Sequence, residues 1–280
     1  MPWGNIKRVE TLDAPHHYSS YEPEDFSAWI DVVAAEYVRL RTSFAAPLPD
    51  LFEFPGLGGF TGAAIKARVA QATVPKEDYQ KKNFSVMRSD LSEVAAYMLL
   101  ERTFGTEIAY KLVRDRELTK LPGRGIDAIG IEVGDKHVIV LAEVKFSSES
   151  IKPGSAPQVV DKSDDCMRNQ HLGHMKERRE TIDKLMDCAR RAASDAERDN
   201  LIAAAMYLEH ELWDKVEVVS CCVLMRPKSL HTDADFGSFR TSPLDYEPAR
   251  VRFLVWKLPG VIDDILKAWA QAVENKVGAP

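Results

Sequence analysis

The stretch GRGIDAIGIEVGDKHVIVLAEVKF, residues 123 to 146, constrains this chain more than any other. Two apolar runs flank Gly134 and Asp135, and a Gly-Asp pair in that setting reads as the turn of a β-hairpin. Side chains two apart on a strand share a face. Ile139, Leu141, Glu143 and Lys145 therefore project from one side of the second strand, and Val138, Val140, Ala142, Val144 and Phe146 from the other. Both sides are apolar until the last few residues. That is the pattern of a central strand with charge gathered at its C-terminal end. Asp127 stands near the start of the first strand and, with the turn at 134–135, pairs near residue 142. Asp127 and Glu143 are thus predicted to be neighbours across the sheet.

Two carboxylates about 5 Å apart repel by roughly 3 kcal/mol at an effective dielectric of about 20. Three arrangements relieve this: one carboxyl keeps its proton, Lys145 neutralises the pair, or a divalent cation bridges it. One lysine offsets one charge, not two. A hard cation such as Mg2+, held by one or two carboxylates with water and phosphate oxygens, suits the remainder. Such a cation acidifies a bound water and stabilises the leaving oxygen in phosphodiester hydrolysis. Lys145 would orient that water or help deprotonate it.

The elements around the hairpin can be read in order. SDLSEVAAYMLLERTFG (89–105) predicts a helix capped by Asp90, with Glu93 three residues on and Gly105 at its end. EIAYKLVR (107–114) reads as a strand, followed by the hairpin strands 125–133 and 137–146. A helical region covers roughly 158–213, broken near Ser194. KVEVVSCCVLM (215–225) is apolar almost throughout and reads as a buried strand, with RVRFLVWKL as another and VIDDILKAWAQAVENKV as a closing helix. The order α-β-β-β-α-β-β-α gives an α/β core with a central mixed sheet flanked by helices. Residues 1 to 80 differ, with a Pro-, aromatic- and acid-rich first 60 residues. One helix is expected over 22–40, with Phe26, Ile30, Val33, Ala34 and Tyr37 on a shared face, and then a loop, PLPDLFEFPGLGGFTGAA. A soft boundary near residue 80 separates this region, of unassigned role, from a core domain over 81–280.

The formal net charge of −6 argues against a free-standing, sequence-independent DNA binder, whose affinity rests on phosphate contacts. The charge is uneven, however. Residues 66 to 124 hold 12 Lys and Arg against 8 Asp and Glu, which allows a locally basic surface near the hairpin. The chain carries no apolar run of the roughly 18 residues that a membrane span needs and no apolar leader near Met1, so a cytoplasmic protein is expected. Cys166, Cys188, Cys221 and Cys222 form no CxxC pair, and neither a disulfide framework nor a Cys-based zinc site is signalled.

A helix glutamate, a Gly-x-Asp opening one strand and a Glu-x-Lys ending the next resemble the PD-(D/E)XK nuclease superfamily, whose core is restriction-endonuclease-like. The matching residues are Glu93, Asp127 in GID, and Glu143 and Lys145 in EVK. The proline of the family's motif is absent, since Gly125 and Ile126 precede Asp127. The resemblance spans roughly residues 85 to 227. It implies cleavage of DNA, or less often RNA, dependent on Mg2+ or Mn2+, with Asp127, Glu143 and Glu93 as metal ligands and Lys145 on the attacking water. Within the superfamily, RSDLSEVAAYMLLERTFG, GRGIDAIG and LAEVKFSS look like the nuclease subunit of Hachiman antiphage defence systems, which implies a helicase partner that delivers DNA. A nuclease fold kept only as a binding module is the alternative, because fold does not fix activity.

Other features have plainer readings. Glu93 stands three residues after Asp90 and fits a capping box as well as an inward-facing site. GLGGFTG (56–62) has no preceding strand and lacks the Gly-Lys-Ser/Thr ending of a phosphate loop, so it reads as a flexible loop. Cys166, His171 and His174 fit no standard zinc spacing and read as surface polar residues. KERRETIDKLMDCARRAASDAERD (176–199) is dense in charge of both signs and reads as a solvated helix with i,i+4 pairs. Arg178, Arg179, Arg190 and Arg191 are its candidates for phosphate contact. Gln158 and Lys162 occupy the place where related nucleases set an auxiliary polar residue.

Overall fold

A computed structural model describes residues 6–13, 15–44, 48–56, 58–74, 83–115 and 125–278. In chain order these form β1 (Ile6–Asp13), β2 (His16–Pro23), α1 (Phe26–Thr42), β3 (Leu51–Phe54), β4 (Gly58–Thr61), α2 (Gly62–Thr73), α3 (Asn83–Leu99), β5 (Glu107–Lys111), α4 (Leu112–Asp115), β6 (Ala128–Val133) and β7 (His137–Phe146). There follow α5 (Gln158–Asp161), α6 (Met167–Lys176), α7 (Arg178–Arg190), α8 (Asp195–Glu209), β8 (Val216–Pro227), α9 (Gly237–Thr241), β9 (Arg250–Leu258) and α10 (Ile262–Gly278). Seven strands make one mixed sheet in the order β1-β2-β9-β8-β7-β6-β5. The β5-β6-β7 and β1-β2 pairs are antiparallel, whereas β7-β8, β8-β9 and β2-β9 are parallel. The fold is α/β, with helices on both faces of the sheet.

The two-faced apolar pattern of β7 is what fixes these layers. Val140, Ala142, Val144 and Phe146 are buried with α1, α3 and α10, where Trp29, Tyr37, Tyr97 and Trp269 fill the space. Ile139 and Leu141 are buried on the opposite face under Leu185, Leu201, Ala204 and Leu208 of α7 and α8. A third cluster continues that face across β8, β9 and β2, closed by Met167, Phe236, Phe239 and Tyr246. Each fully buried Val, Leu, Ile or Phe side chain contributes roughly 1.5–3 kcal/mol. Leu141, Val140, Ile139 and their neighbours therefore anchor β7 by more than the charges at its end can loosen it.

Several expectations change. Residues 6–13 and 16–23 are strands, and β2 lies beside β9 in the central sheet while α1 joins the α3–α10 layer, so β2 and α1 are built into the same core. The boundary near residue 80 lies outside the described residues. Helix α3 begins at Asn83, seven residues before the Asp90 expected to cap it. Asp90 is an interior position, fully buried, whose Oδ2 accepts from the Tyr37 hydroxyl at 2.7 Å, so a tertiary partner claims the carboxylate that the sequence offers as a cap. The helical run over 158–213 is four helices rather than two, with Ser194 capping α8 by accepting from Glu197 N. GLGGFTG follows a strand after all: it turns β3 into β4 and opens α2, with Gly56 and Gly58 at positive φ. Among the described residues no helix is long and apolar enough to cross a membrane.

Candidate functional site

The hairpin register places the charges as the turn dictates. Ala128 pairs with Ala142, so Asp127, one step beyond the end of β6, stands beside Glu143. Residues 143–146 of β7 reach past β6, and Asp127 covers that free edge: its Oδ2 accepts from Val144 N at 2.7 Å. The Asp127 carbonyl accepts from Leu112 N at 3.0 Å, which ties the site to the end of β5. Glu143 and Lys145 share the face of Leu141, and Lys145 Nζ lies 3.0 Å from Glu143 Oε1. Asp165, at the mouth of the site and 77% exposed, approaches the same ammonium at 3.8 Å.

Burial dominates the electrostatics. Glu143 is 3% exposed and its Oε2 has no hydrogen-bond partner. Burial, then the charge of Asp127, pushes the Glu143 carboxyl up to about 8, with Lys145 opposing. Burial, then Glu93, pushes Asp127 well above the ordinary carboxylate range, and the Val144 amide, Lys145 and Lys184 oppose that. Lys145 is raised: burial favours its neutral form, but the negative groups Glu143, Asp127 and Asp165 together outweigh it. The protein's own groups thus relieve the carboxylate repulsion by keeping a proton on the pair at neutral pH.

Glu93 arrives from the other side of the sheet. Helix α3 covers the face of Val140 and Val144, opposite to Glu143 and Lys145. The Tyr97 hydroxyl, one turn on, lies 3.1 Å from Glu93 Oε2 and 3.0 Å from the Asp127 carbonyl, and accepts from Val113 N at 3.4 Å. The structure therefore brings Asp127, Glu143 and Lys145 together and sets Glu93 against Asp127, with Tyr97 between them. Among the described residues no three His, Cys, Asp or Glu side chains converge closely enough to hold a metal ion. The expected ligand set of Asp127, Glu143 and Glu93 is thus not assembled as a cluster. Two adjacent carboxylates with one orphaned oxygen still fit a hard cation that draws its remaining ligands from water and phosphate.

Three neighbours escape the sequence reading. Tyr97 is signalled only by its place four residues after Glu93. Asp165 and Lys184 come from the helical segment after β7, which no local pattern aims at the site. Lys184 Nζ lies 4.3 Å from the centre of the Tyr110 ring and works against protonation of Asp127. Gly125 makes room for it: at φ +86° a Cβ there would meet Glu180 Oε1 at 3.1 Å and Lys184 Nζ at 3.3 Å.

Cys166, His171 and His174 are buried, not surface residues, because α6 and the residue before it pack against the sheet. His171 Nδ1 is 2.6 Å from Ser220 Oγ, and burial depresses its pKa to about 3. The mixed charges of α7 do form local pairs, Arg179 with Asp183 and Arg191 with Asp187, while Arg190 reaches Asp187 and Arg178 reaches Glu211. Gln158 and Lys162 are exposed at either end of α5, and much of the basic segment 66–124 lies outside the described residues. Comparison with known protein families, with curated proteins and with solved structures found no match.

Proposed function

We propose that the chain is a metal-dependent nuclease that hydrolyses phosphodiester bonds in DNA, built on a restriction-endonuclease-like core formed by α3, β5, β6, β7, the following helices and β8. The observation that carries this reading is the pairing of two buried carboxylates, Asp127 and Glu143, with a single lysine and one carboxylate oxygen left unpartnered. Asp127 and Glu143 would hold the cation, with Glu93 supporting Asp127 through Tyr97. Bound there, Mg2+ or Mn2+ supplies charge to the leaving oxygen and lowers the pKa of the attacking water. Lys145, fixed by Glu143 and part-exposed, orients that water. A helicase partner, as in Hachiman antiphage defence, would bring DNA to a chain whose net charge is −6.

A second reading, a nuclease fold used only for binding, draws on the absence of a three-ligand cluster among the described residues. Plasmid cleavage separates the two. Wild type, with and without the product of any neighbouring helicase gene, is expected to nick DNA in Mg2+ and not in EDTA, and Glu143→Ala or Lys145→Ala to lose at least about 100-fold. Cleavage that survives both substitutions refutes the assigned site. Inactivity under every condition, with partner binding unaffected by Lys145→Ala, favours the binding module.

A further inference from the structure

Arg88 of α3 is a cation that the fold half-buries without compensating. Its guanidinium donates to the Phe146 carbonyl and lies 5.1 Å from the centre of the Phe146 ring. Among the described residues no carboxylate pairs with it. Burial alone moves its pKa, and it moves it downward. Most buried or half-buried arginines here have an acidic or multiple-carbonyl partner: Arg252 grips Glu132 at 2.6 Å, Arg226 meets Asp235 at 3.1 Å, and Arg41 donates to the Val113 and Thr73 carbonyls. An arginine desolvated without an anion costs stability unless something else gains from it.

Its position says what gains. The free edge of β7 beyond β6 carries two groups in succession. Asp127 takes the amide of Val144 and Arg88 takes the carbonyl of Phe146. Two residues of strand, about 7 Å, separate these positions. Arg88 therefore lies next to Asp127 along the stretch of β7 edge that β6 does not pair. A planar guanidinium with donors to spare is suited to a phosphate, which it binds through two parallel hydrogen bonds.

We infer that Arg88 contacts the backbone phosphate next to the one being cleaved, so that the nucleic-acid strand lies along the β7 edge from Asp127 toward Phe146. The inference rests on the nuclease reading above and deepens it by fixing the strand's path. Its test is a salt series in EDTA, measuring the anisotropy of a labelled duplex with the full-length wild type, Arg88→Gln and Arg88→Lys. The plot of log affinity against log salt should be shallower by about 0.9 in Arg88→Gln, the value of one B-DNA phosphate, with roughly tenfold weaker binding at low salt. Arg88→Lys should restore the slope. A purely structural Arg88 would lower the melting temperature of Arg88→Gln and leave the slope unchanged, which overturns the inference, as does a wild type that binds no duplex at low salt. The two readings fail separately. Mg2+-dependent cleavage with an unchanged slope removes only the Arg88 contact, and a changed slope without any cleavage removes the nuclease assignment and leaves Arg88 as a phosphate contact alone.

Discussion

Replacing Glu143 by Gln should stabilise the protein, and by more as pH rises. In the fold Glu143 titrates at about 8 instead of its ordinary 4.5, because it is buried beside Asp127. A raised acid favours the protonated fold. The stability Glu143 contributes is complete below about pH 4.5 and drains away as pH climbs through 8. Each pH unit in that window removes about 1.4 kcal/mol, so at pH 7 the deficit is about 3 kcal/mol and above pH 8 about 5 kcal/mol. The amide variant keeps the shape, can still accept from Lys145, and has nothing to titrate. Urea unfolding of both proteins in EDTA between pH 5 and pH 8 should therefore give stability curves that diverge, the variant lying higher at the alkaline end. Adding Mg2+ at pH 8 should raise wild type alone and close the gap, since only a ligand that binds the folded form stabilises it. Curves that run parallel across the window, or a variant less stable at pH 8, would refute the argument that Glu143 is a strained carboxylate awaiting a counter-charge.

Tyr97→Phe should cost about 1–3 kcal/mol in chemical denaturation, because it leaves the Asp127 carbonyl, Glu93 Oε2 and the Val113 amide without the shared hydroxyl. The same variant should weaken cleavage less than Lys145→Ala, since it alters only how Asp127 is held. His171 should remain neutral from pH 8 down to pH 5 in an NMR titration, as its pKa lies at about 3. The fold then loses stability as pH falls below the ordinary 6.5, and a His171 resonance titrating near 6.5 would contradict its burial.

The site was legible in the sequence where short-range geometry determines it. Period-two alternation and a two-residue turn leave one register for the hairpin, and that register alone sets Asp127 against Glu143. Parity likewise puts Lys145 on Glu143's face. What the sequence conceals is set by distant partners. Asp90 looks like a helix cap until Tyr37, from a helix 53 residues away in sequence, is placed over it. His171 and His174 look like surface residues until α6 settles on Ser220 and its strand. β2 is polar and aromatic, HHYSSYEP, and its parallel partner β9 lies more than 200 residues downstream, so no local pattern announces a strand there. Glu93 illustrates the same limit: its helix was expected, but which side of the sheet that helix covers depends on packing across the whole core.

The strand that bears Glu143 and Lys145 is bonded to β8 along its whole length and to β6 as far as Ala142. Its amide hydrogens that face β8, and those paired with β6 as far as Ala142, can exchange only when the sheet itself comes apart. The cost of burying the carboxylate pair therefore cannot be shed by fraying a loop or tilting a terminus, and it is charged against the cooperative unfolding of the whole molecule. A mutation that relaxes the site should lengthen the lifetime of the slowest-exchanging amides everywhere in the sheet, from β2 to β6, and not only those beside it.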